Sequence, residues 1–541
     1  MRAGHQRPRA LPAVDSRQQL GNRGLSIATK GQSFTRSGER QLRDVYFDNA
    51  PYSRFHWRSP AHLTKEQPVS ARPHSRALVG ALTIVLCAAC TGGAGAREAD
   101  GGTHGARPGS AGVGDALFPK LGNGGYDVTG YRLDLDYTPD SNRLKGTARI
   151  TARATSALSS FHLDLAGLHV RRTTVNGRAA EAERRGTELV LTPAGTLPKG
   201  RTFTTTVVYD GRPKTITDPD GSKEGWIQTD DGAVGLGEPT GSMAWFPGNN
   251  HPSDKAAYDI TVTVPKGLTA VSNGELKRRE NRGGRTAFHW HNGEPMASYL
   301  ATVAVGDFDV HTTTTNGELP QYVAVDPDEA EGSTRVPDQV TEVTEWESRT
   351  FGRYPFSSTG AIVDHLPDLE YALETQTKPY FADAPDEQLL VHELAHQWFG
   401  NSVTPRAWKD MWLNEGFATY AEWLWEEDHD GRTADRIFRD FYDGTDDESG
   451  GIWDFPPADP PSAAKISDAP VYGRGAMVLH KLRQAVGDKA FFTILRTWVK
   501  EHRHANADTR QFIALSERIS GKDLGKLFDV WLYGKGKPNK P

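Results

Sequence analysis

From about residue 121 to 310 the chain alternates apolar and polar positions with a period of two; beyond residue 338 the spacing changes to 3.6. Tyr131-Arg-Leu-Asp-Leu-Asp-Tyr137, Gly146-Thr-Ala-Arg-Ile-Thr-Ala152, Phe161-His-Leu-Asp-Leu165 and Tyr258-Asp-Ile-Thr-Val-Thr-Val264 each place alternate residues on one face, the mark of half-buried strands. Phe203-Thr-Thr-Thr-Val-Val-Tyr209 and Tyr299-Leu-Ala-Thr-Val-Ala-Val305 continue this text, and Asn176-Gly177 and Asn273-Gly274 read as hairpin turns. Helical spacing is found over 338–351, 386–399, 415–427 and 476–486, beside short strand-like runs at 322–325 and 361–363. The pattern predicts a multidomain protein: an all-β domain over 118–310, then an α+β, mainly helical domain over 311–541. No internal repeat interrupts it.

The 541 residues are 37% hydrophobic and 24% charged, which excludes a disordered, collagen-like or polytopic membrane chain. Charge is unevenly spread. Residues 1–90 carry 14 basic against 5 acidic side chains, leaving 49 against 64 in the remainder. So acidic a body lacks the basic face that phosphate contact needs, so nucleic acid is not an expected partner.

Both cysteines, Cys87 and Cys90, lie in the leader, so the body has neither a disulfide nor a thiolate metal site. Basic residues Arg72 and Arg76 precede the apolar run 77–89, which is signal-peptide sized and too short to span a bilayer. With Ala88 and Ala89 before it, Cys90 resembles the lipobox cysteine of bacterial lipoproteins, although Cys87 stands where leucine is common. The expectation is a signal peptide over 69–90 and an exported protein, either a cell-surface lipoprotein held by a lipid anchor on Cys90 or a secreted one. A Cys-x-x-Cys redox site is not expected in an apolar leader. Residues 1–68 are basic and unpatterned; with Val69 as a candidate start codon, they are read as an unstructured extension or a start-site artefact. Residues 91–117, rich in Gly, Ala and Ser, read as a flexible tether.

The most specific local text is Val391-His392-Glu393-Leu394-Ala395-His396. Histidines at i and i+4 share one helix face, so His392 and His396 can reach one zinc ion, with Glu393 beside them to work on its water. Catalytic zinc usually takes a third side chain. Glu415 follows after eighteen intervening residues, at the head of a second helical pattern, where a turn containing Gly400 and Pro405 can return it to the metal. Two histidines and a glutamate leave an open fourth position, unlike a closed structural site.

This spacing, with Asn414-Glu415-Gly-Phe-Ala, resembles the aminopeptidase N family of gluzincin metallopeptidases over roughly residues 121–541. The resemblance implies a saddle-like N-terminal β domain and a thermolysin-like catalytic domain. It implies one Zn²⁺ per chain on His392, His396 and Glu415, with Glu393 as catalytic base. The family's G-x-M-E-N motif corresponds to Tyr371-Ala-Leu-Glu374-Thr375; Glu374 is kept, and the resemblance makes it a holder of the substrate α-ammonium. Glu238, in Gly237-Glu238-Pro239, is similar to a second anionic clamp. Val471-Tyr472-Gly-Arg474 resembles the family's Tyr-x-Lys-Gly segment, making Tyr472 the transition-state tyrosine with Arg474 in the usual lysine's place. The text ends soon after 528–538, as expected of a short form without the large C-terminal helical domain. The implied activity is removal of N-terminal residues from peptides with a free N-terminus. The alternatives are an endopeptidase, an epoxide hydrolase of the leukotriene type, or a non-catalytic zinc-binding scaffold. Side-chain preference and oligomeric state are not legible.

Overall fold

The computed structural model describes residues 105–539 apart from 316, 368 and 370. The expected N-terminal extension, signal peptide, Cys90 and residues 91–104 of the tether lie outside the described residues.

Most of the period-two text forms two facing sheets; the Phe161 segment falls instead in a four-stranded sheet in the order 107–108, 158–164, 188–192, 181–185. Of the facing pair, one has eight strands in the order 275–282, 285–297, 255–265, 126–138, 143–154, 202–211, 169–175, 178–179, antiparallel throughout except where Tyr258–Thr263 runs parallel to Tyr131–Asp136. Along Tyr126–Thr138 inward side chains are buried, with Leu133, Leu135 and Tyr137 at most 2% exposed. The second sheet has five strands in the order 215–217, 223–228, 233–236, 303–306, 269–272. Tyr137 of the larger sheet meets Trp226 of the smaller edge to face at 5.0 Å, and the Tyr209 hydroxyl donates to the Trp245 carbonyl at 3.0 Å. A β-rich N-terminal domain therefore precedes a helical region, as the sequence pattern predicts.

Two local readings need correction. Asn176-Gly177 is a hairpin turn, with φ of 50° and 75° joining paired strands. Asn273-Gly274 is not: it carries the chain from the five-stranded sheet into the eight-stranded one, and its flanking strands pair elsewhere. The cause is the Asn273 side chain, which is buried and bonded to three backbone groups, so it serves tertiary contacts and not a tight solvent turn. Residues 105–117 do not behave as a tether either. Arg107–Pro108 pairs with Leu158–Ser160, and Asp115 is buried, accepting the amides of Leu117, Phe118 and Trp408 at 2.8, 2.9 and 3.0 Å. A buried carboxylate that collects three N–H groups outweighs the entropy favoured by the surrounding glycines.

The second region starts with a five-stranded sheet in the order 309–315, 319–325, 359–363, 380–381, 372–373, whose central three strands are parallel. Helix α1 (Val336–Phe351) makes the crossover. Seven further helices follow among the described residues: α2 (Glu387–Ala395), α3 (Glu415–Asp428), α4 (Ala434–Asp443), α5 (Gly475–Val486), α6 (Asp488–Glu501), α7 (Thr509–Ser520) and α8 (Gly525–Trp531). Expected to run to residue 399, α2 closes at Ala395. There Trp398 N turns back to Ala395 O, and Gly400 takes a φ of 118° that continues no helix. The half-buried Lys255, on the β side, donates to Asn401 O and Ser402 O at 2.8 and 3.0 Å and ties the segment after α2 to the eight-stranded sheet.

A candidate metal centre between two buried helices

Helix α2 opens on Asp386, whose carboxylate accepts the Leu389 amide at 2.8 Å. Every residue from Leu390 to Pro405 is buried, so His392, Glu393 and His396 are carried into the interior by the apolar neighbours Leu390, Val391, Leu394 and Ala395. Helix α3 packs against α2 and begins with Glu415. His392 Nε2 lies 3.3 Å and His396 Nε2 3.4 Å from Glu415 Oε2, so two imidazole nitrogens and one carboxylate converge on a common point.

The other ring nitrogens are held from behind. His392 Nδ1 is 2.6 Å from Glu422 Oε1, and His396 Nδ1 is 2.6 Å from Asn414 Oδ1. With Nδ1–H donated outward, both Nε2 lone pairs face the centre, as a metal site requires. Asn414 reaches further: its Nδ2 donates to Glu374 Oε1 and to Glu415 Oε1, both at 3.1 Å. That placement depends on Gly400, where a Cβ would come within 1.9 Å of Asn414 Oδ1. Two nitrogen donors and one oxygen donor with oriented second partners fit zinc.

Four carboxylates crowd this space. Ligand atoms of Glu238, Glu374 and Glu415 lie within 4.8 Å of one another, as do those of Glu374, Glu393 and His396. Glu238 stands two residues past the buried strand Ala233–Leu236, and Glu374 directly follows the edge strand Ala372–Leu373. The Glu374 carbonyl is fixed by Asn401 Nδ2 at 2.6 Å and Gln397 Nε2 at 3.3 Å. Burial, and then mutual repulsion, raises the acids: Glu238 well above the usual carboxylate range, Glu374 upward, and Glu393 to about 8. Glu415 moves the other way. Burial opposes its ionisation, but the two imidazoles outweigh that and hold it at about 2.

Tyr472 arrives from α5. It sits in a widened turn, Pro470–Arg474, that runs directly into that helix, and its ring lies 6.0 Å from the His392 ring at an interplanar angle of 15°. Helices α3 and α5 touch backbone to backbone: a Cβ on Gly416 would meet the Gly475 Cα at 2.8 Å. Glu415 and Tyr472 are brought together because their neighbours have no side chain at that contact. Burial and the surrounding glutamates raise the Tyr472 phenol well above its usual value. Arg474 does not face the centre; its guanidinium donates to the carbonyls of Trp531, Val530 and Gly534 at the end of α8, a place that suits a cation.

All seven residues picked from sequence thus occupy one buried space. Sequence reading missed Glu422, Asn414 as a hub, Gln397 and Asn401. Only Glu422 had a legible signal, two helical turns beyond Glu415 on the same face of α3.

The Peptidase M1 N-terminal domain matches residues 128–300, and the Peptidase family M1 domain matches residues 372–531. Glutamyl aminopeptidase of Bos taurus is 28% identical over 327 residues, 56% of this chain and 34% of that protein. Aminopeptidase M1 of Arabidopsis thaliana is 30% identical over 340 residues, 57% and 37% respectively. The chain spans about a third of the length of these relatives. A mutant of an M1 zinc metallopeptidase from Deinococcus radiodurans, solved bound to a Tyr-Ser-Ala substrate, is 30% identical with a TM-score of 0.73, covering 80% of this chain and 99% of that one. A mutant two-domain M1 zinc metallopeptidase bound to L-arginine is 31% identical with a TM-score of 0.74, again over 80% and 99%.

Proposed function

Because the chain belongs to the M1 family of zinc metallopeptidases, we propose that it is a zinc aminopeptidase that removes the N-terminal residue from peptides with a free α-amine. The observation that carries this reading is the position of Glu238 and Glu374. Two acids beyond the His-His-Glu set share its space, and burial opposes the ionisation of both. A substrate ammonium supplies the cation that ionises them, which fixes the first residue of the peptide over the centre.

One zinc ion per chain, held by His392, His396 and Glu415, supplies when bound a Lewis acid for the scissile carbonyl and a water acidified from about 15.7 toward 7. Glu393 takes the proton of the attacking water and passes it to the departing amine; its Oε2 is buried and accepts no hydrogen bond from the described residues, so it is open to that proton. The Tyr472 hydroxyl donates to the oxygen on which negative charge develops. Glu374 and Glu238 accept N–H groups from the α-ammonium throughout, so a single residue is released per cycle. The basic and apolar leader over 69–90 supports export, with Cys90 as a lipid anchor; incorporation of radiolabelled palmitate that is lost in Cys90→Ser tests this.

The test of the reaction is a panel of aminoacyl-coumarin amides, free and N-acetylated, with and without a chelator. Cleavage confined to free amines, lost on chelation and restored by zinc, is the expected result. Cleavage of the acetylated set would make the protein an endopeptidase and release Glu374 and Glu238 from their role. No cleavage of either set with zinc bound would favour epoxide hydrolysis or a binding role.

A further inference from the structure

The loop that carries Glu374 is not held by its own region alone. Residues 375–378 are wholly buried, and they run directly beneath the Asn273-Gly274 crossing between the two β sheets. Asn273 Nδ2 donates to Gln376 O and to Leu300 O, both at 2.9 Å, while its Oδ1 accepts the Thr302 amide at 2.9 Å. The Gly274 amide donates to Thr377 Oγ1 at 2.7 Å, and the Lys378 ammonium donates to Gly274 O. Lys378 also lies over the Trp290 ring at 4.8 Å. From the other side Thr377 N donates to Gln397 Oε1 at 2.8 Å, and Gln397 Nε2 donates to Glu374 O. Gln397 follows His396 in the chain. Thr377 is therefore gripped between the β domain and the segment that carries the metal-binding histidines.

Its backbone shows the grip. Thr377 has a φ of 72°, in the left-handed region that a β-branched residue adopts only under strain. Glycine would remove that strain but would also remove the oxygen that the Gly274 amide needs. Retaining threonine there makes sense if the hydroxyl contact is worth more than the relaxed backbone.

We infer that the Asn273-Gly274 crossing is a positioning element for amine recognition, acting through Thr377 to set where the Glu374 carboxylate stands. This rests on the reading of Glu374 as an ammonium holder. A β domain that fixes one of the two acids, while itself supplying Glu238, makes amine recognition a joint product of both regions. Thr377 and Asn273 are both fully buried, so each acts through the Glu374 loop.

The test is a pair of double-mutant cycles, on the full zinc-loaded protein, with leucyl-coumarin amide as probe. Thr377→Val keeps the shape and removes the oxygen; Thr377→Ser keeps the oxygen. Asn273→Asp keeps the acceptor for Thr302 and removes the donor to Gln376, and serves if Thr377→Val does not fold. Thr377→Val and Asn273→Asp should each lower kcat/KM about tenfold in the native background and less than twofold when Glu374 is already Gln, with Thr377→Ser near native. Equal losses in both backgrounds, or a Thr377→Ser as damaged as Thr377→Val, would overturn the positioning role alone. A Glu374→Gln that leaves kcat/KM unchanged would overturn the ammonium reading and this inference with it.

Discussion

His392 Nδ1 and the Glu422 carboxylate lie 2.6 Å apart, and Glu422 sits seven residues beyond Glu415 on α3. One helix face therefore presents both a candidate ligand and the acid that orients another. Removing that acid leaves all three donor residues in place but frees the ring. Glu422→Ala is expected to weaken zinc binding by about 10–100-fold. Competition with a chromogenic chelator measures this, and an unchanged affinity would reduce Glu422 to a packing residue.

In the proposed role of general base, Glu393 works only ionised. Burial first, then Glu374 and Glu415, push it up to about 8, against the pull of His396 and His392. A bound cation lowers it again, so kcat/KM should fall as pH drops along an acid limb lying between the ordinary 4.5 and about 8. Glu374→Gln removes one repelling charge and should move that limb to lower pH. Glu393→Gln should bind about one zinc per chain and lose on the order of 10²–10⁴ in turnover. Zinc content and a pH–rate profile of the three proteins check both statements.

Tyr472 is expected to matter to the transition state more than to binding. Tyr472→Phe keeps the ring beside His392 and removes the hydroxyl, so kcat should drop by roughly 10²-fold with KM changed far less. A rise in KM alone would mean that the hydroxyl holds the ground state.

Asp115 offers a test remote from the chemistry. Burial works against its ionisation, yet the His251 ring and the amides of Phe118, Trp408 and Leu117 hold it at about 2, below the ordinary 3.8. A carboxyl depressed by folding stabilises above its unfolded value and loses that contribution as pH falls from about 4 toward 2. Asp115→Asn should cost about 1–3 kcal/mol at pH 7, and the gap between its melting temperature and that of the native protein should narrow by pH 3 and close only toward pH 2. A gap that stays constant between pH 7 and pH 2 would show that the charge contributes nothing.

Periodicity alone separated the β-rich region from the helical one, because strands of period two and helices of period 3.6 bury different subsets of the chain, as in Tyr126–Thr138 and α1. The zinc-binding text was legible for a related reason. His392 and His396 are one helical turn apart, so their common face follows from the geometry of any α-helix. Glu415 was legible less directly, as an acid at the head of a second helical pattern after a turn containing Gly400 and Pro405; that turn permits a return to the metal without dictating it. Tertiary structure decided that return, through Gly400 making room for Asn414 and through the bare contact of Gly416 with Gly475. It also decided the fate of Asn273-Gly274, whose turn-like composition is the same whether the next strand pairs locally or crosses to another sheet. Partners distant in sequence, such as Thr377 for Gly274 or Gln376 for Asn273, leave no trace in local pattern. They arise where packing of the apolar faces places polar groups out of reach of water, and each must then find a partner inside the protein.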